Sequence, residues 1–131
     1  GQLLRDVLAG ADASAQARRI EAFVAAQPAF TFRPYPGRAS GYVVDTVQTV
    51  LHCFSTQSAF EAAVIVAVNQ GDDADTTGAL VGMLAGARCG AQALPSRWLG
   101  RLSRTVVQDI TDQASALVAL ALERQSLPLP S

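Results

Sequence analysis

Glycine stands at positions 78, 82, 86 and 90, with alanine at 74 one step earlier and at 79 beside the stripe. In an α-helix that four-residue spacing places the glycines on one face. Each glycine inside a helix costs about 1 kcal/mol relative to alanine, so the stripe needs a compensating cause. The close approach of a second helix supplies one. Gly78 lies a turn from an acidic segment, and there the missing side chain also leaves room for a substrate. A chain built this way is expected to fold as tightly packed helices.

The composition agrees. Half of the 131 residues are hydrophobic and only 6% are aromatic, which favours helix packing over an aromatic-rich β-sandwich. The length suits one domain, and 16% charged residues leave enough apolar surface for a core. Ten basic residues against eleven acidic ones give a net charge of −1, so no nucleic-acid partner is expected. Every basic residue is arginine, which removes lysine nucleophiles, Schiff bases and the P-loop lysine. Cys53 and Cys89 lack metal-ligand or redox spacing and read as small buried residues of a reduced, cytoplasmic chain. The longest apolar run, Ala62 to Val68, falls far short of the ~18–20 residues of a membrane span, so no membrane partner is expected.

Periodicity places the helices. Leu3, Leu4, Val7 and Leu8 share a face, and Gly10 is a stop. Asp12 or Ser14 caps a second helix carrying Ile20, Phe23 and Val24, which ends before Pro28. Residues 28–41 read as an ordered loop whose aromatics, Phe30, Phe32 and Tyr35, pack on something or line something. Val43, Val47, Val50, Leu51 and Phe54 mark a third helix. Ser58 and Glu61 form a capping box opening a fourth, to about Asn69, apolar nearly all round and therefore predicted central and buried. A fifth runs to about Arg88 and a short one lies near Trp98. The last spans about Arg104 to Arg124, with Val106, Val107, Ile110, Leu117, Leu120 and Ala121 suited to packing on the preceding elements, before a tail that frays from Leu127. The expected fold is all-α, an orthogonal helical bundle.

The segment that carries chemistry is Gly71-Asp72-Asp73-Ala74-Asp75-Thr76-Thr77. One Asp and one Thr would satisfy a helix N-terminus. Three mutually repelling carboxylates between two buried helices cost free energy unless a cation neutralises them. An all-oxygen donor set suits Mg²⁺, Mn²⁺ or Ca²⁺. Asp73, Asp75 and Thr77 also fit the DxDxT pattern of haloacid-dehalogenase-type phosphatases. That pattern ends a buried strand and works with a lysine, whereas these flanks read helical and the chain has no lysine.

Several segments in order carry a family resemblance: Ser40-Gly-Tyr-Val-Val-Asp-Thr46, Phe60-Glu-Ala-Ala63, Ala67-Val-Asn-Gln-Gly-Asp-Asp-Ala-Asp-Thr-Thr-Gly-Ala79, Leu84-Ala-Gly-Ala87 and Leu94-Pro-Ser-Arg-Trp-Leu99. Together they resemble the ADP-ribosylglycohydrolase family, strongly from about Ser40 to Leu102 and loosely in the flanking helices. The resemblance implies an all-helical fold and a binuclear centre of two Mg²⁺ or Mn²⁺ ions. It implies hydrolysis of the bond joining ADP-ribose to a protein side chain, often arginine, so the implied partner is an ADP-ribosylated protein. The family's late GxDxDT motif places metal ligands on Asp73, Asp75 and Thr76, with Asp75 serving both ions. Asp72 stands where relatives often have Gly, and no ligand role is carried onto it. Tyr42 matches the aromatic that contacts the ADP-ribose moiety, with Ser40 and Gly41 lending backbone contacts. A core aromatic closing the preceding loop is the plainer reading of Tyr42.

The family's Thr-Asp-Asp-Thr motif and early acidic helix have no counterpart here. Asp45 and Glu61 read as capping or surface charges. The start, Gly1 to Asp6, already has a helical pattern. Residues 1–131 are thus expected to form the C-terminal part of a larger all-helical domain, holding part of a metal site and inactive alone. The N-terminal portion would come from the same polypeptide or a separate chain. The alternative is a non-catalytic helical module that binds ADP-ribose or a protein partner. Of the remaining candidates, His52 and Cys53 are helical neighbours pointing about 100° apart, which favours a satisfied histidine over a catalytic pair. Arg97, Arg101 and Arg104 near Trp98 read as a solvated face, with phosphate contact the sharper alternative.

Overall fold

The computed structural model describes residues 1–126, and every regular element in them is helical. The helices are α1 (Gln2–Leu8), α2 (Ala13–Ala26), α3 (Val43–Thr56), α4 (Phe60–Val68), α5 (Ala74–Cys89), α6 (Ser96–Leu99) and α7 (Arg104–Ser126). Single 3₁₀ turns occupy Pro28–Phe30 and Ala91–Ala93. The all-α expectation holds. The chain divides into two compact units, residues 1–94 with α1 to α5 and the part from Pro95 onward with α6 and α7.

Local signals set several boundaries. The N-cap of α2 is Asp12, whose carboxylate accepts the Ala15 N–H at 2.8 Å. α1 ends at Leu8, and Gly10 turns the chain at φ +87°. The loop after α2 is ordered by its own packing. Phe32 is buried, Phe30 lies against Phe23 with centroids 5.2 Å apart, and Gln48 Nε2 donates to the carbonyls of Ala29 and Thr31.

The glycine stripe fixes how α4 and α5 meet. A Cβ placed on Gly78, Gly82 or Gly86 would stand 3.0 Å from Val68, 3.8 Å from Val64 and 3.7 Å from Phe60 respectively. As the numbers rise along α5 they fall along α4, so the two helices run antiparallel in a four-residue register. Each glycine is a hole for one larger side chain. Gly78 therefore faces Val68 and leaves no room for a substrate on that side. Gly90 is not part of the stripe, because α5 ends at Cys89 and Gly90 turns the chain at φ +79°. Cys53 and Phe54 of α3, Ala63 and Ala67 of α4, and Val81 and Ala85 of α5 form the fully buried centre.

Three expectations are corrected. The Ser58–Glu61 capping box does not form, since α4 begins at Phe60 with Ala59 as its N-cap and no side-chain capping bond. The end of α5 holds this connection instead. Arg88 donates to the carbonyls of Phe54 and Gln57, and Cys89 Sγ donates to that of Ser58 at 3.4 Å. Nor is α4 buried all round: α3 and α5 cover the side of Phe60, Ala63 and Ala67, while Ile65 and Val68 are exposed. In the second unit, Val106, Ile110, Leu117 and Leu120 are exposed, because one long helix after a single-turn helix has no partner face within that unit. The tail from Leu127 and the packing of Ala121 lie outside the described residues. Among the described residues no helix is long and apolar enough to cross a membrane.

Candidate functional site

The acidic segment is the turn between α4 and α5. Gly71 and Asp72 reverse the chain in the left-handed region, at φ +78° and +48°. Glycine suits both positions, and Asp is among the few other residues that tolerate them. Asp72 is exposed.

Asp73 is the N-cap of α5, yet its carboxylate makes no capping hydrogen bond. A favourable cap is worth about 1 kcal/mol, and this carboxylate does not supply it, so its oxygens are not committed to the backbone N–H groups of the helix. The Asp73 backbone N–H donates to the Ala39 carbonyl at 3.1 Å. Asp73 Oδ2 lies 3.5 Å from the Cβ position of Gly41. The turn and the 38–42 loop, distant in sequence, thus form one surface.

Asp75 is exposed, and its carboxyl is held below the usual carboxylate range, chiefly by the neighbouring Asp73 side chain. The backbone N–H groups of Thr76 and of Asp75 itself add to that lowering. Two neighbouring carboxylates repel each other, and a cation between them would relieve that repulsion. Thr76 is exposed beside Asp75, whereas Thr77 is fully buried and its hydroxyl donates to the Asp73 carbonyl at 3.0 Å. The two threonines therefore differ: Thr76 is open to a ligand and Thr77 is a structural tie. Among the described residues no group of three His, Cys, Asp or Glu side chains is arranged to hold a metal. The three-carboxylate cluster expected from the sequence reduces to the Asp73–Asp75 pair. Its hard oxygen donors fit part of an Mg²⁺ or Mn²⁺ coordination sphere.

The opposite rim is built on the first turns of α3. Ser40 Oγ donates to Asp45 Oδ2 at 2.5 Å, and Arg38 Nε stands 3.7 Å from the same oxygen. Asp45 is buried, 9% exposed, so it is not the surface charge its sequence position implies. Thr46 Oγ1 lies 3.1 and 3.2 Å from the carbonyls of Ser40 and Tyr42. Thr49 Oγ1 lies 2.8 Å from those of Arg38 and Asp45. These three residues were not singled out as a group. A signal existed in their spacing, since positions 45, 46 and 49 share one face of a helix that follows a Pro/Gly loop. Tyr42, the N-cap of α3, is 62% exposed and is not a core aromatic.

The remaining candidates have structural partners. His52 stacks on Tyr35 with centroids 4.2 Å apart, and burial, with Arg33 nearby, lowers its pKa. Cys53 is fully buried and burial pushes its thiol up, while Cys89 is only part-buried. Arg97 lies over the Trp98 ring at 5.8 Å.

Comparison with known proteins shows the family. A family model described as ADP-ribosylglycohydrolase matches residues 2–127. An ADP-ribosyl-dinitrogen reductase glycohydrolase of Rhodospirillum rubrum is 44% identical over 121 residues, 92% of this chain and 41% of that protein. An ADP-ribosylarginine hydrolase of Pseudomonas putida is 35% identical over 59% of this chain and 22% of its own length. One of Serratia proteamaculans is 36% identical over 66% of this chain and 23% of its own. The matched region is 41% of the first relative's length and under a quarter of the other two.

Proposed function

The chain belongs to the ADP-ribosylglycohydrolase family, and from that premise we propose that it forms part of a hydrolase removing ADP-ribose from modified protein side chains, arginine above all. The observation that carries this reading is the joining of the acidic turn, with Asp73 and Asp75, to the Ser40–Tyr42 loop through the Asp73 N–H to Ala39 carbonyl bond and the approach of Asp73 Oδ2 to Gly41. Asp73, Asp75 and Thr76 would hold the two Mg²⁺ or Mn²⁺ ions together with ligands from outside this chain. When bound, such ions orient ribose hydroxyls and an activated water and stabilise charge developing at the anomeric carbon.

This chain's own residues bind and orient. The exposed Tyr42 ring would lie against the ADP-ribose moiety. Ser40 and Gly41 would border it, and the absent side chain of Gly41 keeps the approach to Asp73 open. A carboxylate of the completed site would assist proton transfer to or from the glycosidic bond. The protein substrate is one carrying ADP-ribose on arginine, as the names of the Pseudomonas and Serratia relatives state for theirs. An N-terminal portion, on the same polypeptide or another, would complete the domain. Two unbridged thiols suit a cytoplasmic setting.

The test is Mn²⁺-dependent release of ADP-ribose from an ADP-ribosylarginine substrate by the complete polypeptide its gene encodes. Asp75→Ala should abolish release and weaken Mn²⁺ binding by about tenfold or more. No release by the wild type, or Mn²⁺ binding unchanged by Asp75→Ala, overturns the enzymatic reading. A non-catalytic ADP-ribose-binding module is the second reading. It draws on Asp73 and Asp75 having no third His, Cys, Asp or Glu grouped with them among the described residues. ADP-ribose binding without release would favour it.

A further inference from the structure

Asp45 is a buried carboxylate that the proposed hydrolysis does not use. Burying a charge is costly unless hydrogen bonds compensate, and the loop it touches is already tied down without it. The Arg38 carbonyl is bound by Thr49, the Ala39 carbonyl by the Asp73 N–H, and the Ser40 carbonyl by Thr46. Apart from a 3.7 Å ion pair with the exposed Arg38 side chain, what Asp45 adds lies at the Ser40 side chain. An ionised carboxylate only accepts, so the 2.5 Å contact commits the single hydroxyl proton of Ser40 to Asp45. The Tyr42 N–H points to the same hydroxyl oxygen at 3.3 Å. Ser40 then has acceptor capacity left and no donor.

We propose that Asp45 is a positioning residue that fixes Ser40 as a hydrogen-bond acceptor, so that this point of the pocket takes a sugar hydroxyl or a nucleobase amine and not a phosphate oxygen. A phosphate oxygen would meet only lone pairs there. Thr46 and Thr49 set where the loop lies, and Asp45 sets the polarity of its side chain. This inference rests on the ADP-ribose reading given above.

The test is a double-mutant cycle in the complete polypeptide, with ADP-ribose affinity measured by titration calorimetry and folding checked by circular dichroism. Ser40→Ala and Asp45→Ala should each weaken binding about tenfold. The double variant should bind no more weakly than either single one, because both act through one hydroxyl. A role in general stability would not show that dependence on Ser40. Should Asp45→Ala unfold, Asp45→Asn carries the same cycle: its smaller loss, about threefold, should vanish in the Ser40→Ala background. Additive losses, or unchanged affinity in a folded Asp45 variant of a wild type that binds, overturn this inference alone. A wild type that binds no ADP-ribose overturns the functional reading, and this inference with it.

Discussion

Asp73 Oδ2 stands 3.5 Å from the point where a side chain on Gly41 would begin. That is an ordinary contact distance, so the fold can accept a methyl group there. The methyl would nevertheless cover the carboxylate that faces the loop. Gly41→Ala is expected to leave the melting temperature within about 3 °C while weakening Mn²⁺ and ADP-ribose binding by about fivefold or more. Unchanged affinities in the folded variant would show that the space over Asp73 has no role.

Arg88 closes the end of α3 from the far side of the core. It donates to the Phe54 carbonyl at 2.9 Å and to that of Gln57, and its guanidinium lies 4.2 Å from the centroid of the Phe54 ring. Its Nε is buried without a hydrogen-bond partner. Arg88→Ala is expected to destabilise the protein by about 2–3 kcal/mol in urea unfolding. Arg88→Lys should recover less than half, because an ammonium cannot reproduce the planar fork. A loss under about 0.5 kcal/mol would refute this role.

His52 gives stability a pH dependence with a definite sign. Burial, then Arg33, lowers its pKa in the folded chain, so the unfolded chain binds the proton first as pH falls. Stability is therefore full above the ordinary histidine value, about 6.5, and declines as pH drops below it. Tyr35, stacked on the ring, stays neutral throughout that window, since a phenol ionises far above it and burial pushes this one further up. Replacing His52 with Phe keeps a stacking ring and should flatten the profile between about pH 6.5 and 5. A slope that persists in His52→Phe would assign it to other groups.

The glycine stripe predicts an order of effects. At Gly82 an added methyl meets Val64 at 3.8 Å, an ordinary contact. Gly82→Ala should therefore keep most of the helix-propensity gain of about 1 kcal/mol. At Gly78 it meets Val68 at 3.0 Å, and the β-branched Val68 has little rotamer freedom in a helix. Gly78→Ala should be the less stable of the two by about 1 kcal/mol. Equal chemical-denaturation midpoints would contradict the register.

What the sequence made legible followed from local rules. Asp12 capped α2 as its type and position predict, and the stripe at 78, 82 and 86 faced a neighbouring helix as its cost requires. Asp73, Asp75, Ser40, Gly41 and Tyr42 stood out by motif, and the fold brings the two segments together through the Ala39–Asp73 hydrogen bond. Several misses depended on how many neighbours the fold brings from distant sequence. Ser58 lost its cap because Cys89 and Arg88 hold that connection from the end of α5. Asp45 was read as a capping or surface charge because its burial is created by a loop folded over it. Ile65 and Val68 were read as core because hydrophobicity alone does not say how many neighbours a helix has.

The α4–α5 register has its tightest point at Val68 and Gly78, next to the acidic turn. Positional slack between the helices is thus smallest where the candidate ligands leave them. A site built on such a joint is pre-organised: its ligand directions are set by packing before any ion arrives, and binding need not order the turn. Much of the specificity for small, geometrically demanding ions would then be written in glycines and valines that never touch them.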